Sequence, residues 1–232
     1  MRIVLIVMTL ISLIQAKIPA QTKQLLIVVS PSWKSQEATL YRFEKKGKSW
    51  KRVGDGIKVV VGKRGLGVGL GLSNTKKLRG SLKREGDKKA PAGVFKIPFI
   101  FGKKNLGFNY PFYKMSRDYR CVDDIHSKYY NHIVNIKKTK QDYRSFENMK
   151  LKSGLYDYGL FVSHNPKSIR GRGSCIFVHI AKPNFSATVG CTAMRKKDLI
   201  TILKWLDKRK HPLLIQAPKS QIKKLLPKNL KL

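Results

Sequence analysis

Acidic residues are scarce in this chain: 13 Asp and Glu stand against 49 Lys and Arg in 232 residues, a formal charge of +36. Such a balance draws the protein to polyanions: nucleic acid, anionic lipid or an acidic cell-wall polymer. The lysines are spread along the whole length, with no Arg-rich arm and no aromatic-basic repeat. A solvated basic surface is therefore the competing reading, and no specific nucleic acid is assigned as a partner. Long apolar runs are also missing. The longest, Ile3 to Ile14, makes about 18 Å of helix, too short for a hydrocarbon core of about 30 Å. Only three cysteines occur, Cys121, Cys175 and Cys191, and neither C-x-x-C nor H-E-x-x-H is present, which argues against a zinc peptidase. The glycine-rich GKRGLGVGLGL (Gly62 to Leu72) lacks G-x-G-x-x-G spacing and any following Gly-Lys-Ser/Thr, so it is no nucleotide cradle; its glycines allow a tight or mobile loop. There is no internal repeat.

What is present suffices for a packed domain: 42% hydrophobic residues, with nine Tyr, ten Phe and three Trp. The N-terminus reads as an export signal. Arg2 gives a short positive region, Ile3 to Ile14 an apolar one, and Ala16 or Ala20 a small residue for cleavage, so residues 1–16, or 1–20, are assigned to a signal peptide. A buried strand or an uncleaved anchor is the alternative. Export places the protein in the periplasm or cell envelope, where the first polyanion it meets is envelope material. An odd number of cysteines in an exported chain leaves one thiol free unless chains pair; Cys121 bridged to Cys175 with Cys191 free is one such division.

Buried or alternating apolar runs predict strands at Gln24 to Ser30, Thr39 to Phe43, Lys58 to Val61, Gly159 to His164 and Ser174 to Ile180. Gly102 to Leu155 is aromatic-rich and irregular. Leu199, Ile200, Ile202, Leu203 and Leu206 fall on one face of a helix over Lys197 to Arg209, which Pro212 stops. The pattern is a mostly β domain closed by one helix, spanning residues 24–214, followed by a lysine-rich tail, 215–232, that is a short amphipathic helix or disordered.

Strand alternation in SCIFVHI puts Cys175, Phe177 and His179 on one face, and Cys191 follows twelve residues later behind Gly190. A thiol needs a base or cation to ionise near neutral pH, and an imidazole within reach serves. Gly190 allows a tight turn that opens N–H groups to a substrate oxygen. The competing reading is a buried cysteine beside a satisfied core histidine.

The run GSCIFVH, then TVGCTAM and a helix, resembles the signature of the L,D-transpeptidase (YkuD-like) family: a histidine at a strand end, a loop, and Ser/Thr-x-Gly-Cys. EGDKKAPAGVF is similar to the family's Gly-Asp-x-x-Thr-Pro-x-Gly-x-Phe, with Ala90 in place of threonine. GKRGLGVGLGL, CVDD with YYN, and HNP also look like a branch of that family, so the likeness spans Leu25 to Leu206.

The resemblance implies a mostly β sandwich or barrel with a C-terminal helix after the cysteine. It also implies peptidoglycan stem peptides as partners and neither metal nor organic cofactor; a monomer is a separate expectation, since the sequence does not fix the oligomeric state. Catalysis would rest on Cys191, His179 and Gly190. Thr188 of the signature, Asp123, Asp124, Tyr130, Asn131, His164 and Arg172 are assigned to substrate contacts. Asp123 or Asp124 would take the side-chain ammonium of a diamino acid, against the plainer reading of a turn or salt bridge. Two departures stand out. Ile180 occupies a position where glycine is usual, and Ala193 one where arginine is usual; Arg195 and the loop Arg170 to Arg172 are the cations that could replace it.

Overall fold

The computed structural model describes residues 18–73 and 75–232, so the export segment assigned to residues 1–16 lies outside the described residues. Gln24–Ser30 is apolar along nearly its whole length because it is covered on both faces. It pairs in parallel with Leu213–Pro218 on one side and antiparallel with Glu37–Lys46 on the other. Glu37–Lys46 instead alternates between buried and partly exposed positions, as a strand with one wet face does.

From these strands a twelve-stranded mixed sheet extends both ways. Beyond Leu213–Pro218 lie Ala90–Lys96 and Leu66–Val68. Beyond Glu37–Lys46 come Ile57–Val60, Thr192–Met194, Phe177–Ile180, Tyr158–Phe161, Ile100–Gly102 and Phe112–Lys114. One core gathers side chains from both ends of this order, Ala92 and Phe95 with Ile100 and Phe108, so the sheet wraps around a shared interior. A separate three-stranded sheet, Ile133–Asn135, Tyr119–Val122 and Phe146–Asn148, organises the aromatic-rich middle of the chain.

The mostly β architecture with a C-terminal helix agrees with the sequence reading. Four details differ. The helix is Lys196–Trp205, burying Leu199, Ile202 and Leu203 at i, i+3 and i+4, and it ends four residues earlier than its apolar pattern suggests. Leu206 turns extended, and the N–H of Asp207 donates to the buried Gln24 side chain while its carboxylate caps a 3-10 turn at Lys208–Lys210. Cys191 is followed by the short strand Thr192–Met194, which separates it from the helix, so no helix dipole acts on the thiol. The strand bearing His179 starts only at Phe177, because Cys175 adopts a left-handed backbone (φ 52°).

The fourth difference is the tail. Residues 215–218 belong to an interior strand of the sheet; beyond it the expected short helix does form, over Lys219–Ile222, and Ile222, Leu225, Leu226 and Leu230 are buried against the core. The polar Gln216 is tolerated there because Thr192 Oγ1 donates to its amide oxygen and its NH2 donates to Pro91 O. Part of the glycine loop is likewise ordered. Leu66–Val68 is a strand, and a side chain at Gly65 (φ 71°) would collide with Trp33 O at 2.0 Å.

Candidate active site around Cys191

The strands Phe177–Ile180 and Thr192–Met194 run parallel, with His179 opposite Ala193 and Val178 opposite Thr192. Cys191 therefore lies beside Phe177, whose N–H is directed at Sγ over 3.3 Å; Sγ in turn lies 3.6 Å from Cys175 O. The helix Lys196–Trp205 packs behind Tyr158–Phe161 and Phe177–Ile180, fixing this pair of strands from the rear.

Thr188 clamps the turn ahead of the thiol. Its Oγ1 donates to Cys191 O at 2.6 Å and accepts from Gly190 N at 3.1 Å. Gly190 has φ 156°, a region that side-chain-bearing residues rarely adopt. Val189, at the tip, is 64% exposed, whereas Cys191 is 4% exposed.

The tautomer of His179 follows from its hydrogen bond. Nδ1 lies 2.8 Å from Ile180 O, and a carbonyl oxygen only accepts, so Nδ1 carries the proton and Nε2 keeps a lone pair. Burial pulls the imidazole down to about 4, so it is neutral at physiological pH, an available base rather than a cation. Tyr156 packs edge-on to the ring at 5.1 Å and sends its hydroxyl proton to the Glu147 carboxylate. Burial pushes the Cys191 thiol well up, and Glu147 adds to this; the Phe177 N–H and the Lys83 ammonium act the other way. At rest the site holds a neutral thiol and a neutral imidazole on neighbouring strands.

Cys121 and Cys175 form a disulfide and Cys191 is free. The bridge ties the three-stranded sheet to the chain entering the His179 strand. In that sheet Glu147 lies directly opposite Cys121, and Asp123 follows just past the end of the Cys121 strand, close enough to add like charge to Glu147. Burial raises the Glu147 carboxyl to about 7, with Asp123 and Glu85 contributing like charge. Asp123 Oδ1 is buried with no hydrogen-bond partner among the described residues.

The remaining residues expected at the site divide. Asp124 accepts the N–H groups of His126 and Arg144 and so builds a turn, which draws its carboxyl below the usual range. Tyr130 and Ser174 both donate their hydroxyls to Glu85. Asn131 (φ 64°) donates to His164 O and Asn165 O and accepts from Cys175 N, bracing the disulfide's second half. His164 accepts from Leu70 N at Nδ1 and donates from Nε2 to Arg172 O, so both ring nitrogens are engaged by backbone.

His164 and Asn131 line a cavity of about 450 Å³ with Phe99, Tyr113 and Phe161; neither Cys191 nor His179 reaches it. Arg172 is half-buried, and Arg170 is exposed. Arg195 lines a different groove with Arg42, Asp55 and Asp198. Ala193 is buried within its strand.

Glu147, Tyr156 and Lys83 carry no sequence motif, and Glu85 only opens the EGDKKAPAGVF run, so none of the four is marked as a site residue by sequence. The rarity of acids was the available signal, and it applied equally to Glu85 and Glu147 as to Asp123. Among the described residues no cluster of three His, Cys, Asp or Glu is arranged to hold a metal ion, and no helix is long and apolar enough to cross a membrane.

Comparison with known proteins adds three findings. A family model described as the L,D-transpeptidase catalytic domain matches residues 25–215. No curated protein matches. Among solved structures, the chain is similar to the helical cell shape determining protein Pgp2 from Campylobacter jejuni, with 14% identity and a TM-score of 0.41. That match covers 85% of this chain and 49% of the other, so the chain spans about half the length of that relative.

Proposed function

This chain belongs to the family of L,D-transpeptidase catalytic domains, and on that premise we propose that it is an exported cysteine acyltransferase acting on peptidoglycan stem peptides. The observation that carries the reading is the free thiol of Cys191, set beside the strand whose His179 keeps an unprotonated Nε2.

In the proposed reaction, Cys191 gives its proton to His179 Nε2 and the thiolate attacks the carbonyl of the penultimate diamino acid of a tetrapeptide stem. The N–H of Gly190 is already taken by Thr188, so the N–H of Cys191 is the donor offered to the developing oxyanion; losing one such donor costs roughly 3 kcal/mol. The C–N bond to the terminal D-residue breaks as His179 returns the proton to the departing amine, leaving a thioester. An incoming amine then attacks the thioester, passes a proton to His179, and releases Cys191. Water in place of the amine makes the same site an L,D-carboxypeptidase.

Glu147, opposite Cys121 in the small sheet, and Asp123, just past the end of the Cys121 strand, are suited to the side-chain ammonium of the diamino acid, Asp123 through an oxygen that no protein group satisfies among the described residues. Asp124 is committed to its turn and is left out of this role.

The test is incubation with purified tetrapeptide muropeptides and measurement of product masses. Cross-linked dimer or amine-exchanged product marks transfer, and tripeptide marks hydrolysis. Both should vanish in Cys191→Ala. Unchanged tetrapeptide with the wild-type protein, or products that persist in Cys191→Ala, defeat the proposal.

A further inference from the structure

Among the described residues, Lys83 is the only Lys or Arg in the fully buried class; it is 3% exposed. In a chain with 49 basic residues and ample surface for them, one ammonium taken out of water at a cost of several kcal/mol calls for a local reason. Its side chain runs through a slot made by two glycines with positive φ. A Cβ at Gly173 would meet Lys83 Cγ and Cε at 3.2 Å, and a Cβ at Gly190 would meet Nζ at 3.9 Å. Gly190 is the residue before the thiol, so the charge is delivered to the Cys191 turn.

The hydrogen bonds of Nζ account for two of its three protons. It donates to Asp87 Oδ1 at 2.7 Å and to Arg84 O at 2.9 Å. Asp87 is shared: its oxygens also accept the N–H groups of Lys89 and Arg84, so its negative charge is spread over the turn Arg84–Lys89 rather than spent on Lys83 alone. The other charged or titratable groups facing this region are His179, Glu147, Tyr156 and Asp123 around the thiol, Glu85 beside Glu147, and His164 with Arg172 beside the lysine. Of these, the two histidines are neutral and Glu147 opposes ionisation of the thiol. Among the described residues Lys83 is the cation that acts on the thiol, whereas Arg172 acts on His164.

We propose that Lys83 is the cation that stabilises the Cys191 thiolate once its proton has passed to His179 Nε2, with Asp87 setting how much of that charge the sulfur feels. The inference rests on Cys191 being the nucleophile of the preceding section. It makes Lys83 a positioning and electrostatic residue that needs no contact with substrate.

The test is the pH dependence of Cys191 alkylation by iodoacetamide, followed by intact mass, which requires no peptidoglycan substrate. Lys83→Met should move the midpoint up by about one pH unit or more and slow alkylation near neutrality about tenfold. Lys83→Arg should recover most of the rate. Asp87→Asn should move the midpoint the opposite way, downward, because the ammonium loses its neutralising partner; a purely structural ion pair would give no such opposition. Should Lys83→Met alone fold poorly with Asp87 left unpaired, the double variant Lys83→Met/Asp87→Asn removes both charges and should still show the raised midpoint. An unshifted midpoint in either charge-removing variant overturns the proposal, as does an upward shift in Asp87→Asn. Loss of muropeptide turnover in the wild-type protein with these shifts intact would remove the substrate and leave Lys83 in place. Normal turnover with an unshifted profile would do the reverse.

Discussion

His164 and His179 are both held neutral by burial, each near 4, yet their hydrogen bonds leave them different work. His164 spends both nitrogens on backbone, whereas His179 spends one and keeps Nε2. Both contribute to acid sensitivity with the same sign. The unfolded chain takes up each proton near 6.5 and the folded chain resists until about 4. Their stabilisation is therefore complete above 6.5 and is lost as pH falls through that window, up to roughly 3 kcal/mol each. Glu147 works in the opposite direction. Its folded carboxyl is raised to about 7 from 4.5, so its contribution is present below 4.5 and lost as pH rises towards 7. Melting temperatures at about pH 7 and about pH 5 should separate the two. Glu147→Gln should widen the gap between them by removing the opposing group, and His179→Gln should narrow it. A gap left unchanged in Glu147→Gln would show that the carboxyl is ionised throughout.

The elements bearing these groups are joined by one covalent link. Cys121–Cys175 closes a separation of 54 residues and fastens the three-stranded sheet to the strand of His179. A loop of that size constrains the unfolded chain by roughly 4 kcal/mol in the chain-entropy account. The double variant Cys121→Ala/Cys175→Ala should lose stability of that order in urea titration. In hydrogen exchange, amides of Tyr119–Val122 and Phe146–Asn148 should lose protection well before those of Gln24–Ser30. Equal loss in both sheets would mean that the small sheet is not a separate unit held by the bridge.

This sheet marks where sequence legibility ended. Gln24–Ser30 and the helix around Leu199, Ile202 and Leu203 are long enough for periodicity to show. The three strands of the small sheet have three or four residues each, too few for a pattern, and their register is fixed by partners distant in sequence. Leu213–Pro218 was half legible for another reason. Gln216 interrupts its apolar run, and only its bonds to Thr192 and Pro91 show that a buried polar residue belongs there. Cys191, His179 and Thr188 could be read because the turn that presents them is local. Glu147 and Lys83 could not, because each is brought to the thiol by a tertiary contact.

At the scale of the whole molecule, charge acts at two ranges. Several of the 13 acids are used in surface ion pairs, Glu37 with Lys58, Asp118 with Lys137 and Asp157 with Lys103, which contribute little to stability. Three others, Glu85, Asp123 and Glu147, gather near the thiol, giving a small negative locus inside a surface of net charge +36. The outer field attracts anionic polymer over a distance that salt sets, about 10 Å at 0.1 M, while the inner carboxylates act over contact distances that salt barely reaches. Binding to the wall and turnover of a soluble stem peptide should therefore respond to salt differently. In co-sedimentation with purified anionic sacculi, the bound fraction should fall steeply as salt rises from about 0.05 to about 0.5 M, and Cys191→Ala should bind as the wild type does. Hydrolysis or transfer on a soluble muropeptide should change by less than about threefold over the same range. Salt-independent sedimentation would assign wall binding to a specific pocket rather than to the field of the lysines. A parallel fall in turnover would mean that the substrate, too, is held by the outer charge and not by Asp123 and Glu147.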